Sequence, residues 1–270
     1  MTERGKTIPA NEFQTSEFGR KRAALVVGHP GHELRVFGWL SLAHPIVAVL
    51  TDGSGSDKTS RLHSTSEIIR NVGAKQAAIF GKFTDREMYA HLLDDGRDIF
   101  LSLVEELTNM FLENEIDYVA SDAYEEFNPT HDLCNYLVKA AVALASERRV
   151  IEAYAFSLDA KPSTGDAFPD SMIIGLDDEL FARKIAAARQ YHELAPDIAQ
   201  TIDQFGSQSF KLEVLFNAKR GRQPDVQEGG VPYYEKYGEE KVRSGLYSKT
   251  IRLKENMMPI FRSLSSSGEE

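Results

Sequence analysis

The stretch "RAALVVGHPGHELRVFGWLSLAHPIVAVLT", Arg22 to Thr51, decides the reading of the fold. "RAALVVG" is a short, nearly continuous apolar run, the pattern of a strand buried on both faces. "HELRVFGWLSLA" follows with apolar residues at Leu34, Phe37 and Leu40, spaced for a helix. "PIVAVLT" repeats the buried-strand pattern, and the Gly and Asp residues of "DGSGSDKTS" stop it. Between the first strand and the helix stand two histidines three apart, His29 and His32.

The alternation continues along the chain. "RLHSTSEIIRNVG" reads as a helix ending at Gly73, and "QAAIFG" as a third strand. "RDIFLSLVEELTNMFLEN" is amphipathic, with Ile99, Leu103, Leu107 and Met110 or Phe111 on one face. "IDYVAS" is a fourth strand and "THDLCNYLVKAAVALASE" another helix, with Leu133, Leu137, Ala141 and Leu144 in register. "IEAYAFS" and "SMIIGL" add strands, and "DDELFARKIAAARQYHEL" and "PDIAQTIDQFG" add helices. Strands alternating with helices imply an α/β, Rossmann-like fold: a mostly parallel sheet with helices on both faces. No internal repeat is visible. The expected organisation is a flexible leader over 1–20 and a single α/β domain over 21–270. Within that domain the core covers about 21–205 and a C-terminal extension about 206–262, with a disordered tail in "SLSSSGEE". Periodicity is weak from Gly221 onward, where the Tyr-rich "PYYEKYG" lies. Its aromatics suit either a sugar ring or packing against the core, and packing is the expectation.

Bulk properties exclude some functions. The chain has 270 residues, 42% hydrophobic and 27% charged, which is ordinary for a soluble globular protein. Its 31 basic and 41 acidic residues give a formal charge of −10, which argues against general nucleic-acid binding. No run approaches the ~18 apolar residues of a membrane span. With a polar N-terminus lacking an apolar signal segment and Cys134 as the only cysteine, the expected location is the cytoplasm. Cys134 stands at apolar helical spacing in "HDLCNYLV", as a buried structural thiol would.

In an open parallel sheet, ligands bind at the carboxyl ends of the strands. His29 and His32 follow the first strand on that edge. "SDAYEEFNPTHDL" follows the fourth strand on the same edge and brings His131. Three histidines there would supply three neutral nitrogen ligands and leave a zinc ion an open fourth position. A histidine near a strand end is more often a hydrogen-bonded structural or surface group than a ligand, and a bare H-x-x-H is a weak signal, so spacing alone does not establish a metal site. His44, His63, His91 and His192 have no comparable placement. Other motifs fail: "TDGSGSDKTS" lacks the phosphate-loop spacing, "GHPGHE" is not G-x-G-x-x-G, and no G-x-S-x-G elbow occurs.

Strand-then-"GHPGHE" resembles a variant of the strand-then-"AHPDDE" signature of the LmbE/PIG-L family, the N-acetylglucosaminyl deacetylase-like zinc hydrolases. "NPTH" stands where that family has "HPDH". "LTDGSGS", "RLHSTSEIIRNVGA" and "ARKIAAARQYHE" are similar in order and placement, over roughly residues 22 to 195. The resemblance implies that His29 and His131 bind zinc, with His32 in the place of a ligating aspartate. It also implies that Glu33 orients a ligand histidine from behind, and that Arg61 takes over substrate binding because Ser64 stands at the family's arginine position. Gly31 occupies the place of the general base, Asn128 that of the histidine opening the second motif, and Thr130 that of its aspartate. Asp122, Glu125 and Glu126 are the nearby acids that would replace the base, and Asn128 would donate to a developing oxyanion.

The expected function is therefore zinc-dependent hydrolysis of an amide, removing an acyl group from an N-acylated amino sugar or related small molecule. The alternative is a non-hydrolytic metal- or sugar-binding accessory protein on the same fold. A transferase acting on a sugar nucleotide is a weaker third reading, for which no phosphate loop is found. The sequence leaves the oligomeric state open.

Overall fold

The computed structural model describes residues 7–55, 58–158, 170–221 and 230–266. In chain order the strands are β1 (Thr7–Pro9), β2 (Ala23–Val27), β3 (Ile46–Thr51), β4 (Lys75–Phe83), β5 (Tyr118–Asp122), β6 (Glu152–Phe156), β7 (Met172–Gly175) and β8 (Leu212–Asn217). The α-helices are α1 (Phe37–Ala43), α2 (Leu62–Asn71), α3 (Asp85–Leu93), α4 (Arg97–Glu113), α5 (Pro129–Ser146), α6 (Asp178–Gln190), α7 (Ala195–Phe205), α8 (Tyr233–Arg243) and α9 (Met258–Ser266).

The strands form one eight-stranded sheet in the order β1-β7-β8-β6-β5-β2-β3-β4. All neighbours pair in parallel except β8, which runs antiparallel to both β6 and β7. The α/β expectation holds. Period-two alternation sends the strand side chains to two separate cores. Ala24, Val26, Ala48 and Leu50 join Leu103, Leu107, Leu133, Leu137 and Phe261 on one face of the sheet. Leu25, Val27, Val47 and Val49 join Trp39, Leu40, Ile68, Ile69 and Tyr191 on the other. A strand buried on both sides must read as a continuous apolar run, which is why "AALVV" and "IVAVLT" carry so little alternation.

The expected helix "HELRVFGWLSLA" is two pieces: a 3₁₀ segment over His32–Val36, then α1. No residue at the start of α1 caps it from its own chain segment. Instead Glu213 of β8 accepts the N–H groups of Gly38 at 2.8 Å and Trp39 at 2.7 Å. Lys184 of α6 closes the arrangement, bonding Glu213 at 2.7 Å and the Arg35 carbonyl at 2.9 Å. This buried ion pair ties the loop before α1 to the sheet.

Two expectations are corrected. Residues 7–20 of the expected leader are packed: β1 joins the sheet edge, two 3₁₀ turns follow, and Phe13 is fully buried. The expected disordered tail continues α9 to Ser266, with Leu264 buried in the core. Residues 1–6 of that leader and 267–270 of that tail lie outside the described residues. β8, α3 and α8 lie where no element was expected. Among the described residues no helix is long and apolar enough to cross a membrane.

Candidate functional site

β2 has β3 on one side and β5 on the other. The connection through α1 leads to β3 while the chain returns later to β5, so the carboxyl ends of β2 and β5 flank a topological switch point. Both histidine loops open there. Gly31 makes the first loop possible: its φ is +104°, in the region that glycine alone adopts without strain. A Cβ at Gly31 would lie 2.3 Å from Leu194 Cδ1. On the second loop Asn128 caps α5, its Oδ1 accepting from the Thr130 N–H at 2.9 Å, with Pro129 in the first helical position. His131 is thereby fixed in the first turn of α5.

The three imidazoles come together. Ring centroids are 5.3 Å apart for His29 and His32, 5.2 Å for His29 and His131, and 4.5 Å for His32 and His131. His29 and His131 are buried, and His32 is nearly so. A carboxylate stands behind two of the rings. His32 Nδ1 is 2.9 Å from Asp122 Oδ2, which also accepts the Gly28 N–H at 2.8 Å. His29 Nδ1 is 3.1 Å from Asp85 Oδ1 and 2.7 Å from Thr51 Oγ1, whose own hydrogen goes to the Gly28 carbonyl at 3.0 Å. Those acceptors place a proton on Nδ1 of His29 and do not engage its Nε2. That Nε2 and the Nδ1 of His131 are both buried without a hydrogen-bond partner.

Electrostatics follow from burial. Desolvation holds His32 and His131 well below the usual imidazole range, helped for His32 by His29 and for His131 by both other histidines, so both rings stay neutral. Burial pushes the Asp122 carboxyl up to about 7, opposed by its bond from Gly28. Burial also pushes Asp85 upward. The bond and charge of His29, with the Gly55 N–H, outweigh that and hold it well below the usual carboxylate range.

The remaining sequence candidates take definite places. Glu33 does not contact a histidine, contrary to expectation. It is fully buried, its Oε2 accepting from the Gly31 N–H at 2.8 Å and its Oε1 from the Thr65 hydroxyl at 2.7 Å. Thr65 in turn bonds the Tyr191 hydroxyl, which reaches the Arg61 carbonyl. Glu33 therefore braces the bend of the histidine loop, and burial pushes it up to about 7. Arg61 opens α2, and its guanidinium lies over Gly55 in the loop after β3. Glu126 is buried and accepts from the Tyr124 hydroxyl at 3.0 Å, while Glu125 accepts the Leu158 N–H. Asp122 is sealed behind His32, and Asn128 has its oxygen committed to capping. Cys134 is a buried thiol in α5, as its spacing implied.

Sequence reading missed Asp85 and Thr51. The signal for Asp85 was present: "TDRE" after an apolar strand is a capping box, and Thr84 and Glu87 form one at the start of α3. Nothing in the spacing showed that α3 would bring Asp85 to His29.

The donor set can be tested against zinc. Among the described residues no group of three or more His, Cys, Asp or Glu side chains has its donors gathered for a metal as they stand. The chemistry nonetheless fits. Each buried imidazole nitrogen left without a partner costs roughly 1–3 kcal/mol, and a Lewis acid would remove that cost. A separate cleft of about 250 Å³ between α2 and α6 is lined by Ser64, Glu67, Asn71, Arg183 and Tyr191 but by none of the three histidines.

The fold is shared with a solved deacetylase. The crystal structure of the zinc-inhibited form of a teicoplanin deacetylase is similar to this chain with a TM-score of 0.51 at 11% identity, covering 74% of this chain and 100% of that one. An A40926 pseudoaglycone deacetylase is similar with a TM-score of 0.47 at 17% identity, covering 73% and 97%. At these identities the likeness is one of fold. No protein-family model matches the sequence, and no curated protein matches it.

Proposed function

We propose that this chain is a metal-dependent amide hydrolase that deacylates an N-acylated amino sugar or a related small molecule. One observation carries the reading: three imidazoles meet at the switch point of the sheet, and two of them hold buried ring nitrogens with no hydrogen-bond partner. His29, His32 and His131 would hold a zinc ion. When bound, zinc supplies a Lewis acid for an amide carbonyl and makes water more acidic. The deacetylase activities of the structural neighbours agree with this choice of bond.

The chain's own groups have separable tasks. Asp122 keeps the proton of His32 on Nδ1, and Asp85 with Thr51 does the same for His29, so that Nε2 of each ring is the free donor. Asp122 is too enclosed to exchange a proton with substrate, and in this reading it positions His32. Asp85 retains 15% side-chain exposure, which makes it the more accessible of the two carboxylates beside the rings. Asn128 keeps its amide N–H groups to donate to developing negative charge, since its oxygen is used in capping. Arg61, over the loop after β3, would hold the sugar hydroxyls.

Elemental analysis of purified protein together with His131→Ala tests the reading. The expected result is about one zinc per chain, lost in the variant, with zinc-dependent acetate release from N-acetylglucosamine derivatives. A metal-free wild type overturns it. Gly31 favours the second reading, a non-hydrolytic binding protein, because it places no carboxylate in the histidine loop. Metal binding without turnover on any N-acyl sugar selects that reading.

A further inference from the structure

The Tyr-rich extension separates into an inner and an outer face. Tyr233, Tyr234 and Tyr237 lie in α8, and helical spacing divides them. Tyr234 is 5% exposed and packs in the core, whereas Tyr233 is 51% and Tyr237 38% exposed. The expectation of core packing thus holds for one of the three. Among the described residues, every exposed large hydrophobic side chain except Val150 is Phe127 or belongs to residues 231–247. Exposed apolar surface collected in one place marks a binding face.

This face adjoins the histidine cluster at both ends. Phe127 stacks on Tyr233 with centroids 4.8 Å apart and planes within 4°. It directly precedes Asn128, the cap that fixes His131. The Tyr233 N–H donates to the Glu126 carbonyl at 2.9 Å, so α8 is docked on the loop that follows β5. Tyr237 follows Tyr233 at 6.0 Å. At the other end Tyr247 packs edge-on against Tyr89 at 6.2 Å, one turn along α3 from Asp85, the partner of His29.

We propose that this aromatic row is a second sugar subsite, binding a pyranose ring joined to the residue whose acyl group lies at the histidines. The proposal rests on the hydrolase reading above and extends it. Phe127 and Tyr233 lie offset by roughly 3 Å if their planes are ~3.5 Å apart, which leaves part of each ring open. The edges of the row are polar: phenol hydroxyls, and Lys241 Nζ 4.7 Å above the Tyr237 ring. A pyranose has the matching division, an apolar C–H face and a hydroxyl rim. A purely apolar ligand would strand the hydroxyls, and an anionic one would meet a protein of charge −10.

Calorimetric binding of N-acetylglucosamine and of N,N′-diacetylchitobiose to the zinc-loaded protein is the test, with Tyr233→Ala, Tyr237→Ala and the exposed Val150→Ala as comparison. The wild type is expected to prefer the disaccharide. Each tyrosine variant should reduce that preference about 2- to 12-fold, the range for one aromatic contact, and Val150→Ala should not. Equal affinity for the two sugars in the wild type overturns the subsite, as does an undiminished preference in both tyrosine variants. Binding of N-acetyltyrosinamide but not the disaccharide would assign the row to an aryl ligand and overturn it too. So would self-association in sedimentation that the tyrosine variants abolish while sugar preference persists. Acetate release separates the two readings: ring-dependent binding without release retains the subsite and overturns hydrolysis. Release with no change in KM for the disaccharide in the tyrosine variants does the reverse.

Discussion

Glu213→Gln should destabilise the protein by an amount that shrinks as pH rises. Glu213 is fully buried and receives three donors: the N–H groups of Gly38 and Trp39 and the ammonium of Lys184. A glutamine has one oxygen for these donors. If it serves Gly38 and Lys184, the Trp39 N–H faces an amide NH₂ and is orphaned, at a cost of about 1–3 kcal/mol. Lys184, 5% exposed, loses its counter-charge, and breaking a buried pair in this way costs about 3–5 kcal/mol. The lysine part has a ceiling, because the ammonium can shed its proton. With an unfolded pKa of ~10.4, neutralisation at pH 7 costs about 1.36 × 3.4, or ~4.6 kcal/mol; at pH 9 it costs about 1.36 × 1.4, or ~1.9 kcal/mol. Burial already lowers Lys184 from its ordinary value, with Glu213 opposing that shift. Removing the carboxylate lets the folded-state value fall further, so the unfolded chain binds more protons between the two values and the variant's stability rises with pH. Urea denaturation at pH 7 and pH 9 should therefore show a loss that shrinks by roughly 2–3 kcal/mol between the two. Lys184→Met removes the titrating group, and its loss should not shrink between the two pH values. A Glu213→Gln loss below about 1 kcal/mol at pH 7, or one independent of pH, would refute the reasoning.

Three further outcomes are expected. Asp85→Asn weakens the hold on His29 and should lower zinc affinity roughly 10–100-fold by competition with a chromogenic chelator, with little change in thermal stability. Asn128→Ala removes the cap of α5 and should cost about 0.5–2 kcal/mol in urea denaturation. Gly31→Ala meets both a positive φ and the Leu194 side chain and should cost more than ~1 kcal/mol; adding Leu194→Ala relieves the contact but leaves the backbone part, about 1–2 kcal/mol. The same conflict means that Gly31→Asp would test backbone strain as well as the missing base.

Much of the architecture was legible because it depends on local pattern. β2, β3, β5 and β6 were visible as apolar runs, and α4 and α5 as amphipathic repeats. β8 was not. Glu213 interrupts its apolar run, and that carboxylate belongs there only because the N-terminus of α1 and Lys184 lie beside it. α3 and α8 are short and rich in polar residues, so periodicity barely marks them. The 7–20 segment has little periodicity and is ordered by docking Phe13 and β1 onto surfaces formed elsewhere in the chain.

By itself the sequence determined a sheet with helices on both faces and put His29, His32 and His131 on one edge of it, since the strand ends follow from hydrophobic pattern and, in a parallel sheet, share one edge by chain direction. The tertiary structure alone decided what stands behind those rings. Thr51 reaches His29 from the end of β3 and Asp85 from the start of α3, Asp122 turns inward to His32, and Glu33, which looked like a histidine partner, turns to Gly31 and Thr65. Hydrogen-bond partners are set by distances of about 3 Å between residues 22 to 90 positions apart, and no local pattern encodes such distances.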